Sequence, residues 1–240
     1  MQPGIEELNR FYATADGRRV AMALRSVVWP MLRRQANARL LALGFVAPVI
    51  DGLAAGAIER IAVAMPAAQG CVDWPRHGAT NAALAVMPGD LPFPGAAFDQ
   101  AIVCHAIEFG DAAAMLGEVA RTLAPAGDII AIVANRAGLW THFEWTPFGQ
   151  GQPYGKAGLA RLLADAGFEP VSWWTTLVAP PLRGLRRLDR VLTRLLPTLG
   201  GVHIVRARKS GGPAAKPIGR VRAVPGVAAA TACAAADGSP

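Results

Sequence analysis

Cysteine is scarce in this sequence, with three among 240 residues, at positions 71, 104 and 233. So odd and scattered a set offers neither a disulfide framework nor the paired spacing of a zinc site. Charge is also sparse, at 17% of residues, whereas 52% are hydrophobic, which excludes wholesale disorder. Long hydrophobic runs are missing. The nearest, 40–58, is broken by Pro48, Asp51 and three glycines. Its apolar part, 40–50, falls well short of the ~20 residues a membrane span needs. The first ten residues hold Glu6 and Glu7 and no basic-then-apolar leader, so a cytoplasmic protein is expected. No G-x-S-x-G elbow is present, which disfavours a serine hydrolase.

The net charge of +7 belongs to one segment. Residues 181–222 hold eleven basic side chains and one acid, Asp189, so the remainder of the chain is net negative. That distribution is not the broad basic surface of a nucleic-acid binder, and no nucleic-acid partner is expected. Within the segment, 182–196 has helical spacing. Leu185, Leu188, Val191, Leu192 and Leu195 lie on one side, with Arg183, Arg186, Arg187, Arg190 and Arg194 mostly opposite. Docking on the sheet with a solvated arginine face is favoured over peripheral contact with an anionic membrane.

Length favours a single α/β domain with extensions. Helical periodicity runs over 5–34, giving an N-terminal helical extension at 1–38. Short apolar runs at 39–44, 60–64, 82–86, 99–104 and 128–134 read as buried strands of a parallel sheet separated by helices, one of them starting near Pro48. Helices are expected at 111–123 and 156–166, and further strands at 169–178 and 202–208. This α/β unit spans 39–209. Beyond it, 210–240 is rich in Gly, Pro and Ala without periodicity and is expected to be a disordered tail.

Three segments carry a resemblance. These are Asp90-Leu-Pro-Phe-Pro-Gly-Ala-Ala-Phe-Asp99 with the strand that follows, Glu118-Val-Ala-Arg-Thr-Leu-Ala-Pro-Ala-Gly127, and Lys156-Ala-Gly-Leu-Ala-Arg-Leu-Leu-Ala-Asp-Ala-Gly-Phe168. In order and spacing the chain resembles the class I S-adenosylmethionine (SAM)-dependent methyltransferases, in particular the small-molecule "type 11" branch. The resemblance implies a Rossmann-like, mostly parallel seven-stranded sheet with helices on both faces. It also implies SAM as cofactor and a small-molecule methyl acceptor. The cofactor would lie against Gly44, Phe45, Ala47, Met65, Met87, Leu91 and His105. The family's glycine-rich turn keeps only Gly44 here, with Val46 and Pro48 at the other two glycine places. Met65 stands where an acid would receive the ribose hydroxyls, and Met87 where an acid would face the adenine. These departures leave a second reading open, a non-catalytic relative that kept the fold as an interaction module.

His105, Glu108 and His142 are the candidate catalytic groups, should the acceptor need to lose a proton. His105 reads equally as a buried residue bonded to backbone. The loop 135–155 follows a strand and is long, and loops of that length are commonly lids or binding loops. Its Trp140, Glu144, Trp145, Phe148 and Tyr154, together with Glu108, are the candidate acceptor-binding residues. A packed loop covering the sheet's edge is the alternative. No Cys/His cluster points to a metal.

Overall fold

The computed structural model describes residues 2–33, 37–53, 58–75, 80–177, 200–210 and 230–232. The apolar runs become β1 (Arg39–Gly44), β2 (Arg60–Pro66), β3 (Ala83–Val86), β4 (Phe98–Cys104) and β5 (Leu123–Ala134), all mutually parallel. β6 (Phe168–Thr176) and β7 (Val202–Lys209) extend the sheet beyond β5, and β7 runs antiparallel to both its neighbours. The order is β6-β7-β5-β4-β1-β2-β3, with β8 (Ala230–Ala232) added antiparallel at the β3 edge. The expected methyltransferase-type, Rossmann-like sheet is present. β8 lies inside the stretch expected to be irregular. Apart from Ser210, the rest of that stretch, and the arginine-rich segment 182–196, lie outside the described residues.

Both faces of the sheet are apolar because alternate residues of each central strand point oppositely. Leu40 and Ala42 of β1 join one buried cluster, and Leu41 and Leu43 join the other. The first cluster is covered by α1 (Ile5–Ala13), α2 (Ala15–Val28) and the short α3 (Ala47–Ile50). The second is covered by α4 (Ala112–Thr122) and α5 (Lys156–Asp165).

Several expectations are corrected. The helical stretch at 5–34 is two helices and a final 3-10 turn, because Thr14 takes extended backbone and caps α2, its hydroxyl accepting from Gly17 N–H. The helix expected from Pro48 onward amounts to four residues. The strands are not all separated by helices, since 87–97, between β3 and β4, is a loop. It is held by α4, where Glu118 accepts Leu91 N–H and Arg121 donates to the carbonyls of Leu91 and Phe93. Cys71 is disulfide-bonded, so the cysteines are not all free, while Cys104 is a free, buried thiol.

The N-terminal extension is tied to the sheet at both ends of the strands. At the end where β5 begins, Asp128 is buried and accepts from Arg33, Arg206 and Arg208 at 2.8, 2.7 and 3.2 Å. At the opposite end, where parallel sheets bind their ligands, α1 packs its buried Leu8, Phe11 and Tyr12. Burial of three such side chains contributes on the order of 5–8 kcal/mol before chain entropy is subtracted.

Candidate functional site

The carboxyl ends of β1, β2 and β4 define the place to inspect. β1 ends in Gly44 at φ +88°, and a Cβ there would stand 2.2 Å from the carbonyl oxygen of Cys104. Glycine is therefore required for the close approach of β1 to β4, whatever binds above them. The next turn is fully enclosed. Phe45, Val46, Ala47 and Pro48 are buried, and the α3 carbonyls of Pro48 and Val49 accept from Arg25 Nε and Trp29 Nε1 of the N-terminal extension, both at 2.8 Å.

Met65, the next-to-last residue of β2, is 0% exposed, and its sulfur accepts the Val72 N–H at 3.4 Å. The chain then turns back over the strand ends. The Gln69 side chain is buried and donates through Nε2 to the His105 carbonyl at 3.1 Å, while the Gln69 backbone carbonyl accepts the Ile5 N–H at 2.7 Å. Gly70, at φ +96°, lies against the Ile5 side chain. One turn thus joins the start of α1 to the end of β4.

His105 follows β4 in a left-handed conformation, φ +51°, uncommon for a residue with a side chain. Its Nε2 meets the Tyr12 hydroxyl at 2.7 Å, and its ring lies 4.9 Å from that of Phe148. Tyr12 also contacts Phe45 at 5.7 Å, and Phe148 contacts Trp140 at 5.9 Å. This aromatic cluster fills the space above β1 and β4. Burial lowers the His105 pKa to about 3, so the ring is neutral.

Glu108 is buried too. Its Oε1 accepts the Ala134 N–H at 3.0 Å, and burial raises its pKa to about 7 against that hydrogen bond. The Tyr12 hydroxyl is pushed up by burial and then by the nearby Cys104 and Glu108. Among the described residues, Glu108 Oε2, His105 Nδ1 and Gln69 Oε1 have no hydrogen-bond partner. The residues therefore offer a neutral imidazole and a carboxyl that titrates near neutrality, both sealed from solvent.

The loop 135–155 splits the proposed acceptor wall. Trp140 and Phe148 point inward and are buried, while His142, Glu144 and Trp145 are exposed on its outer side. Tyr154 is half-buried, its hydroxyl 3.4 Å from the Ile107 carbonyl. Backbone bonds Tyr154 N–H to Ala134, Arg136 N–H to Tyr154 and Gln152 N–H to Glu108 hold the loop down. His105 and Glu108 are thus brought to one strand edge, but His142 does not join them.

These residues do not fit SAM. A cofactor must touch the turn after β1 and the end of β2, yet Gly44 to Pro48 and Met65 are buried against protein. Met87 is 57% exposed, and Leu91 packs into the α4 side of the core. Neither methionine place supplies a carboxylate for ribose or adenine, and Tyr12, Phe45, His105 and Phe148 occupy the space. Tyr12 and Gln69 are the residues missed from sequence. Tyr12 reads there as one more apolar position of a helix, and only tertiary packing sets it against His105.

No family model and no curated protein matches the chain by sequence. Solved structures do match. A SAM-dependent methyltransferase of Thermotoga maritima, described as a possible histamine N-methyltransferase, superposes with a TM-score of 0.62 at 18% identity, covering 86% of this chain and 96% of that one. A Haloferax volcanii methyltransferase structure determined with the Trm112 activator gives 0.59 at 16% identity, with 87% and 98% covered. The [4+2]-cyclase SpnF gives 0.52 at 18% identity, with 79% and 81% covered. The fold is that of the class I SAM-dependent methyltransferases.

Proposed function

We propose that this chain is a non-catalytic relative of the class I methyltransferases, a folded interaction module whose cofactor place is closed by its own side chains. The observation that carries the reading is the Tyr12–His105 contact at 2.7 Å, which holds α1 over the strand edge where the cofactor would enter. Loss of two acceptor carboxylates at Met65 and Met87 supports it, since charge-assisted hydrogen bonds contribute ~1.5–3 kcal/mol each. The fold does not dictate methyl transfer, and SpnF is described as a cyclase.

One observation favours a second reading, SAM-dependent transfer to a small acceptor after α1 lifts away. Glu108 is a buried carboxyl titrating near neutrality, with one oxygen unpartnered among the described residues, as a general base would be. Calorimetric titration with S-adenosylhomocysteine separates the two readings. The wild type is expected to give no binding heat at ~1 mM ligand, the regime of about −4 kcal/mol affinity. Saturable binding to the wild type would overturn the closed-module reading. Binding gained only by Tyr12→Ala would identify α1 as a lid and favour the enzyme.

A further inference from the structure

The chain holds three cysteines, at 71, 104 and 233. Cys71 is disulfide-bonded, and Cys104, at the end of β4, is a free and buried thiol. Within one chain the partner left for Cys71 is Cys233, the residue that follows β8. The backbone points to the same pairing by a separate route. β8 runs antiparallel to β3, with Ala230 opposite Val86 and Ala232 opposite Leu84. Continuing that register by one residue sets position 233 opposite Ala83. Residues directly opposite across two strands share one face of the sheet. Ala83 belongs to the core on the α1–α3 face, and Cys71 packs against that same cluster. Cys71 arrives there because the chain doubles back after β2. The Val72 N–H donates to the Met65 sulfur, and the Trp74 carbonyl accepts the Ala82 N–H at 2.7 Å, just before β3.

β8 has little else to hold it. It is three residues long and meets β3 at three positions, the lower limit of strand length. In sequence it is separated from β7 by 211–229, which is rich in Gly, Pro and Ala. Among the described residues, β8 is also the partner that covers the outer side of β3, whose other side pairs with β2. Without β8 that side would present unpaired N–H and C=O groups, a template for pairing with another chain.

We propose that Cys71 and Cys233 form a thiol–disulfide clasp that fastens β8 over the β3 edge, so that the redox state of this pair decides whether the edge is covered. Closing the clasp forms one Sγ–Sγ bond and breaks two S–H bonds. The two protons and two electrons pass to a low-molecular-weight disulfide, which becomes two thiols. Opening is the reverse, with a small dithiol oxidised to its disulfide while both cysteines regain their protons. Cys71 is half-buried and within reach of such exchange, whereas Cys104 is 1% exposed and sealed from it. The clasp ties the end of the chain to the segment after Gln69 and Gly70, and it is independent of whether SAM binds at the strand edge.

The test has two arms, both on the full chain. The three cysteines fall in three different tryptic peptides, 61–76, 77–121 and 223–240. After equilibration with oxidised glutathione and alkylation of free thiols, mass spectrometry is expected to find 61–76 linked to 223–240, with dithiothreitol separating them. Free thiols at 71 and 233, a link from 61–76 to 77–121, or a link found only in covalent dimers would overturn the pairing. The second arm is amide hydrogen exchange in β3. Exchange over Leu84–Val86 is expected to rise about tenfold on reduction, and equally in Cys233→Ser without reductant, while β1 and β4 stay protected. Unchanged exchange in β3 would overturn the clasp. So would an equal rise in β1 and β4, since the bond would then stabilise the whole chain and not the edge.

Discussion

Replacing Glu108 by Gln isolates the proton held at the closed strand edge. Gln can still accept the Ala134 N–H through its oxygen, and its NH₂ takes the place of Oε2, so it imitates the protonated acid. In the wild type, burial raises the Glu108 pKa from 4.5 to about 7. Between those values the folded state holds a proton that the unfolded state has released, so this group's contribution to stability falls as pH rises and levels off above pH 7. At ~1.4 kcal/mol per pH unit, the loss across that window is on the order of 3 kcal/mol. His105 and His203 act oppositely. Burial lowers them from 6.5 to about 3 and about 4, so their contributions are lost as pH falls through the window below 6.5. They are common to both proteins and cancel in the difference. Urea unfolding of wild type and Glu108→Gln across this range should therefore give similar stabilities at the acid end. Near neutrality the variant should be the more stable, by roughly 3 kcal/mol. A difference constant with pH to within ~0.5 kcal/mol would show an ordinary carboxylate, and the sealed-proton argument would fail.

Tyr12→Phe keeps the packing of α1 but leaves His105 Nε2 without its 2.7 Å partner. A loss of ~1–3 kcal/mol is expected in denaturant unfolding, and no loss would mean that the contact does not hold α1 down. Gly44→Ala forces a Cβ to 2.2 Å from the Cys104 carbonyl at φ +88°, so several degrees of Tm should be lost, on the order of 2 kcal/mol or more. An unchanged Tm would mean that β1 and β4 can separate without cost. The S-adenosylhomocysteine titration is expected to show no heat with the wild type.

Apolar patterning marks β1 to β7 in the sequence and misses β8. Leu40–Leu43 and Ile129–Val133 are apolar without alternation, and a strand needs that only when both of its faces are covered. Asp111, with an apolar spacing behind it, placed α4 to within a residue, since its side chain accepts the Ala114 N–H as a cap. His105 and Glu108 were legible as strand-edge residues because they follow β4 directly. Other features were beyond reach. Thr14 breaks the N-terminal periodicity without a Gly or Pro signal, and nothing local sets Tyr12 over His105, 93 residues away. The loop 135–155 showed its aromatics but not their directions. Trp140 and Phe148 are buried while Trp145 is exposed, and close approaches of Gly138 to Gly200 and of Trp140 to Gly201 hold the start of the loop against the segment before β7. Lys156 and His203 likewise share Trp173 only through α5 packing on β6 and β7. Periodicity records which face of an element is apolar, and that is a local property. Which elements close over the strand ends depends on contacts between distant segments, and only the folded chain decides them.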